Sequence, residues 1–236
     1  MNPVSQIPRT GAAAAAYDEG LRRHMLGIYQ NMGIGLAITG LVALAIASTP
    51  PLVALIFGTP LKWVAMLAPL ASVFFFQFRI DRMSVAGART AFFAFAGVMG
   101  VSMASIFLVF TGQSIAMAFF AAAAMFLALS LFGYTTKRDL TGLGTFLFVG
   151  LIAVVLASVV NLFLGSSMLQ MLLSIVGVVV FAGLTAWDTQ RLKSEYAHYG
   201  RSEAADKLAI MGALSLYLNL INLFQLLLGL MGQREE

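Results

Sequence analysis

Carboxylates are scarce in this sequence, and one of them stands where a long apolar run ends. Asp188 closes such a run in the stretch Ala186-Trp187-Asp188-Thr189-Gln190-Arg191-Leu192-Lys193. An acid there has two uses. It can be a solvated interfacial group paired with Arg191 at i+3, or it can be partly withdrawn from water, where it titrates or draws cations to a pore mouth. Arg79 and Arg82, at the end of another apolar run, are the basic partners that position suggests. A second group of polar residues lies inside the last apolar run. Gly212, Ser215, Asn219 and Asn222 follow one another at +3, +4 and +3, which puts them on one helix face. Amides and hydroxyls on such a face either bridge helices as hydrogen-bonding glue or line a polar pathway.

The elements that hold these residues follow from composition. Hydrophobic residues make up 60% of the 236, charged residues 10%, and the mean hydropathy is +0.91. A water-soluble globule cannot hide that much apolar surface, and disorder needs the opposite bias. A spanning helix takes about 20 apolar residues at 1.5 Å each. Seven runs qualify: Leu26–Ser48, Leu61–Phe78, Ala88–Phe110, Ser114–Phe132, Leu143–Leu164, Met168–Trp187 and Leu208–Leu230. None alternates with period two, so membrane strands are excluded. The predicted fold is an all-α polytopic membrane protein: a cytoplasmic tail over 1–25, a seven-helix domain over 26–230, and a short extracytoplasmic tail over 231–236.

Direction comes from the basic residues. With the N-terminus inside, the cytoplasmic segments carry Arg9, Arg22 and Arg23, then Arg79, Arg82 and Arg89, then Lys137 and Arg138, then Arg191, Lys193, Arg201 and Lys207. Only Lys62 and Arg234 fall outside, a strong positive-inside bias that also supports the odd number of spans. The pI near 9.6 is thus a topology signal and not a nucleic-acid footprint. The run Ala12–Ala16 is too short for a signal-peptide core, and Asp18 and Glu19 follow it. Loops are short; the longest, Arg191 to Lys207, reads as a cytoplasmic connection. Trp187 reads as an interfacial aromatic and both histidines as exposed.

Enzyme chemistry leaves no trace. With no cysteine, thiolate metal sites and thiol nucleophiles are excluded. There is no His-Glu-x-x-His, no second membrane carboxylate for an aspartyl dyad, and no phosphate-binding glycine loop. No cofactor or metal site is expected.

Several linked stretches resemble the Bax inhibitor-1 (TMBIM) family. They are Tyr29-Gln30-Asn31-Met32 with Gly35-Leu36-Ala37-Ile38-Thr39-Gly40, Gly133-Tyr134-Thr135-Thr136-Lys137-Arg138-Asp139-Leu140-Thr141, Ala186–Gln190, and Leu216–Phe224. The resemblance runs from about Leu21 to Leu230 and fits a bacterial, inner-membrane member. It implies a bundle with the last helix central, and a role in calcium homeostasis as a pH-sensitive calcium leak. Two aspartates on the last two helices would share protons, latched by an arginine of the second helix. The first matches Asp188, the arginine Arg79 or Arg82, and the second falls on Asn219, which is not an acid. Proton gating is therefore expected to be weaker or differently tuned, with Ser215 and Asn222 on the same face of the pathway. The partners implied are the bilayer, calcium ions and protons, and no nucleic acid. The alternative is a non-conducting regulator that binds a membrane-anchored protease; a solute transporter lacks the internal repeat it would need.

Overall fold

The structure, a computed structural model, describes residues 11–200 and 202–233. Arg9, Arg201 and Arg234, counted above for topology, lie outside the described residues. The chain is helical almost throughout. α1 is Gly11–Ala47, α2 Pro50–Phe57, α3 Leu61–Arg79, α4 Val85–Met103, α5 Ile106–Val109, α6 Gly112–Thr135, α7 Thr141–Leu164, α8 Ser167–Tyr199 and α9 Glu203–Met231. Among the described residues, seven helical segments are long and apolar enough to cross a membrane, α4 and α5 counting as one.

Four boundaries differ from the sequence reading. α1 starts at Gly11, because the alanine run favours helix and Glu19 pairs with Arg23 one turn on, at 2.9 Å. The piece between Ser48 and Leu61 contains α2. The third run breaks between Met103 and Ile106. The expected loop from Arg191 to Lys207 is mostly helix: α8 runs on to Tyr199 and α9 begins at Glu203. Charged residues spaced three and four apart support these extensions, with Arg191 joined to Glu195 and Glu203 to Lys207. Gly200, at φ +57°, makes the stop that a side chain would resist.

Two compact units share the chain. Among the described residues, one comprises 11–25, 113–200 and 218–232; the other comprises Leu26–Gly112 and Ser202–Tyr217 with Gln233.

In the first unit α7 and α8 form an antiparallel hairpin. Its turn is closed by Gly165 in the left-handed region, and the Ser166 hydroxyl caps α8 by accepting from the Leu169 amide. Asn161, buried, supports the turn: its Oδ1 accepts from the Ser166 amide and its Nδ2 donates to Gln170. α6 lies so close to α8 that a Cβ at Gly133 would overlap the Ala186 carbonyl. Large apolar side chains of the hairpin point outward; Leu162 and Phe163 are 81% and 87% exposed. In hydrocarbon that exposure costs nothing, since lipid tails are as apolar as leucine.

The second unit has a polar knot in an apolar core. The Thr39 hydroxyl lies 3.0 Å from the Gly35 carbonyl, 2.9 Å from the Ala96 carbonyl and 2.6 Å from the Tyr217 hydroxyl. Thr39 has one hydrogen, which goes to a carbonyl, so Tyr217 is the donor in the third bond. Phe92 and Phe95 meet the Tyr217 ring edge-on. Gly100 lets α1 approach α4: a Cβ there would stand 2.7 Å from the Thr39 carbonyl. The small residues Ala96, Gly100 and Ala104 are thus a packing stripe, all buried. Removing either hydroxyl should have unequal effects. Tyr217→Phe leaves Thr39 still donating to a carbonyl and should cost about 1 kcal/mol. Thr39→Val strands the buried tyrosine hydroxyl and should cost about 1–3 kcal/mol. Thermal unfolding of the two variants and the double variant in detergent checks the order.

α2 rests at the tip joining α1 to α3, and none of its residues is buried. Its first turn opens with two prolines, which have no N–H, and the Leu52 and Val53 amides both donate to the Thr49 carbonyl. At its other end the Gly58 amide donates to Ala54 and the Thr59 hydroxyl to Leu55.

Candidate functional site

The site is built around α8 one turn before its polar extension. Leu184, Thr185, Ala186, Thr189 and Leu192 are buried there, so the helix has protein on several sides of Asp188. Asp188 is itself only 3% exposed, as in the second of its two sequence readings, the acid withdrawn from water. Its Oδ2 accepts a hydrogen bond of 2.8 Å from Asn219 Nδ2 on α9. Its Oδ1 forms an ion pair of 2.9 Å with Arg191. A buried carboxylate needs both a counter-charge and donors to hold its charge in a poorly hydrated place, and here it has both.

Arg191 is held in turn. Its guanidinium lies 5.0 Å from the Trp187 ring and its Nε 3.5 Å from Glu195 Oε1. Trp187 packs against α7: a Cβ on Gly144 would overlap its indole, so the ring lies on a bare helix face. The linker between α6 and α7 is fastened to the same stretch of α8. Gln190 spans it, accepting from the Leu140 amide at 2.8 Å and donating to the Arg138 carbonyl at 2.7 Å. Lys193 donates to the Tyr134 carbonyl at 3.0 Å and lies over its ring. Thr189 meets Ser130 of α6 at 3.0 Å. At the linker's end, hydrogen bonding from the Thr141 side chain and amide holds the exposed Asp139 carboxyl below its ordinary value.

The other predicted residues are placed as follows. Asn222, half-buried, turns back to donate to the Leu218 carbonyl of its own helix at 2.7 Å. Ser215 belongs to the α9 segment of the other unit, as Arg79 and Arg82 belong to its α3 end. Both arginines are exposed, and Arg79 lies over the Phe75 ring. α9 is buried at residues 212–214, 216–217, 219–221 and 223–224, over more than half of its circumference, while Met211, Ser215, Leu218 and Asn222 on the remaining face are half-buried. His24, read as exposed, is half-buried with its ring 5.1 Å from that of Tyr196, while His198 is exposed. The residues that sequence reasoning missed are Glu195, Gln190 and the Thr39–Tyr217 knot. Only Glu195 carried a signal: it follows Asp188 and Arg191 at +7 and +4, on one helix face.

Fold and site together define an all-α polytopic membrane protein with a buried carboxylate–amide pair between two of its spanning helices, ion-paired to a partly exposed guanidinium. The family profile described as "Inhibitor of apoptosis-promoting Bax1" matches residues 21–236. The chain belongs to the Bax inhibitor-1 family. Among its relatives, an uncharacterized protein of Rickettsia prowazekii is 44% identical over 220 residues, 93% of each chain. An uncharacterized protein of Caulobacter vibrioides is 41% identical over 95% of this chain and 94% of its own. The inner membrane protein YbhL of Escherichia coli is 40% identical over 92% of this chain and 94% of its own.

Proposed function

We propose that this chain is an inner-membrane cation leak, permeable to calcium, with Asp188 at its cytoplasmic mouth and the N-terminus inside. The location follows the name of the YbhL relative, and the direction follows the basic residues. The observation that carries the reading is the buried Asp188–Asn219 contact at 2.8 Å. A carboxylate buried inside a helix bundle is costly and marks an ion or proton pathway by default. Asn219 changes how such a pathway senses protons. Two adjacent acids hold a proton in common because both do not ionise readily, whereas an acid and an amide share only a hydrogen bond. The pair also offers calcium one negative charge fewer, and calcium prefers several charged oxygen ligands.

Purified protein in calcium-loaded vesicles tests this. The unmodified chain is expected to pass calcium, and Asp188→Asn to reduce the flux several-fold at neutral pH while the protein remains folded. Flux that is unchanged in Asp188→Asn would remove the carboxylate from the pathway. A chain that is silent in vesicles and instead retains a membrane-anchored protease through purification would be the non-conducting regulator.

A further inference from the structure

Arg191 stands between two carboxylates. Its terminal nitrogen pairs with buried Asp188 at 2.9 Å, and its Nε pairs with Glu195 at 3.5 Å. The two contacts use different nitrogens of one planar group, so they hold simultaneously. They differ in access to water: the Asp188 side chain is 5% exposed and that of Glu195 25%. Two acids and one guanidinium leave the cluster at −1 when both acids are ionised. Adding one proton brings it to zero, and solvent reaches Glu195 more readily than Asp188.

The charged and titratable groups around Glu195, among the described residues, make the following contacts. On α8 itself, Lys193 turns to the Tyr134 carbonyl, and His198 Nδ1 to the Ser194 carbonyl. From α1, His24 and Tyr17 meet the ring of Tyr196. From α9, Asn219 faces Asp188. From the α6–α7 linker, Tyr134 faces Lys193, and Lys137, Arg138 and Asp139 are exposed.

We infer that Glu195 is the second titrating acid of this site, acting through Arg191 to set the charge around Asp188. Protonation of Glu195 ends its attraction for Arg191, which then neutralises Asp188 alone. Deprotonation divides Arg191 between the two acids and leaves one net negative charge to attract a cation. Proton sensing would then sit along one face of α8, at residues 188, 191 and 195, and not across α8 and α9. Glu195 is a positioning residue in this scheme, since it touches Arg191 and no ion. The link to flux rests on the proposed conduit; the titration of the cluster does not.

The chain has two tryptophans, and Arg191 lies over one of them, so the cluster has its own reporter. In a Trp63→Phe background, Trp187 emission is followed between about pH 4 and 7, where carboxyl groups shifted by their neighbours titrate. One transition is expected. Glu195→Gln should abolish it and hold the emission at its acid-side value throughout; Glu195→Asp should move it; His24→Gln should leave it. Absence of the transition in the background protein, its persistence in Glu195→Gln, or its loss in His24→Gln would overturn the inference. In vesicles, the several-fold difference in calcium flux between the two ends of this range should collapse toward unity in Glu195→Gln. A Glu195-dependent transition in a protein that passes no calcium would keep the inference and reject the conduit.

Discussion

Asn219→Asp is expected to steepen the pH dependence of calcium flux and to make the protein's stability fall as pH rises. The Asn219 amide now donates to Asp188 Oδ2 at 2.8 Å. A carboxylate in its place puts two acid groups within hydrogen-bonding distance of each other in a buried site. Both ionise only at a high electrostatic cost, so the pair retains a shared proton into the neutral range and titrates as a unit. The sign of the stability effect follows. An added acid whose titration is pushed upward by folding destabilises nothing in acid, where it is protonated in both states. The loss sets in as pH rises past its unfolded value of about 4, at about 1.4 kcal/mol for each unit of upward displacement. Melting temperatures of the variant and the parent should therefore coincide in acid and separate toward alkaline pH. Arg191, already shared by Asp188 and Glu195, offsets part of the repulsion. Equal melting temperatures at every pH, with flux of unaltered steepness, would mean that the two positions do not interact in the working protein.

Gly133→Ala should be the most damaging single methyl in the first unit. The added carbon would overlap the Ala186 carbonyl, a backbone group fixed in the middle of α8. A side chain in the way can change rotamer, but a helix carbonyl yields only if the whole helix moves. α6 and α8 would have to part, stretching the Ser130–Thr189 bond of 3.0 Å one turn away and shifting the segment that carries Asp188. Overpacking usually costs about 1–3 kcal/mol, and a rigid obstacle puts this case at or above the top of that range. Gly97→Ala on α4 is the matched control, because a Cβ there meets nothing within 4 Å. That exchange should be neutral or gain up to about 1 kcal/mol from the better helix former. Thermal unfolding of both variants in the same detergent makes the comparison; similar midpoints for the two would contradict the close approach of α6 and α8.

The spans were legible because their signal is compositional and long: some twenty apolar residues in lipid have no competing fold. Asp188 stood out by its rarity and Asn219 by its helical spacing. That they touch was not legible, because it depends on where the helices continue beyond their apolar parts. Residues 191–207 were read as a connection on account of their charge, although Asp188, Arg191 and Glu195, and then Glu203 and Lys207, are spaced as helix neighbours. Reading charge as loop hid Glu195 with it. The packing of Trp187 was hidden for a different reason. Its partner is the missing side chain of Gly144 on another helix, and a glycine's use as a hole is not written in its own neighbourhood. Gln190 and Tyr217 each meet groups distant in sequence, and no spacing rule announces a tertiary hydrogen bond.

The tip between α1 and α3 has a bearing on biogenesis. For these two helices to enter the bilayer as a hairpin, the residues joining them must traverse the hydrocarbon once, before any neighbour is present to satisfy them. Unpaired peptide groups are the main barrier to that passage. Here the crossing piece is wound into α2, its leading turn has two residues without an N–H, and the next two amides share one acceptor within the same turn. Between Arg23 and Lys62 there is no Asp, Glu, Lys or Arg. The sequence at this tip thus lowers a barrier that exists only while the protein is being made.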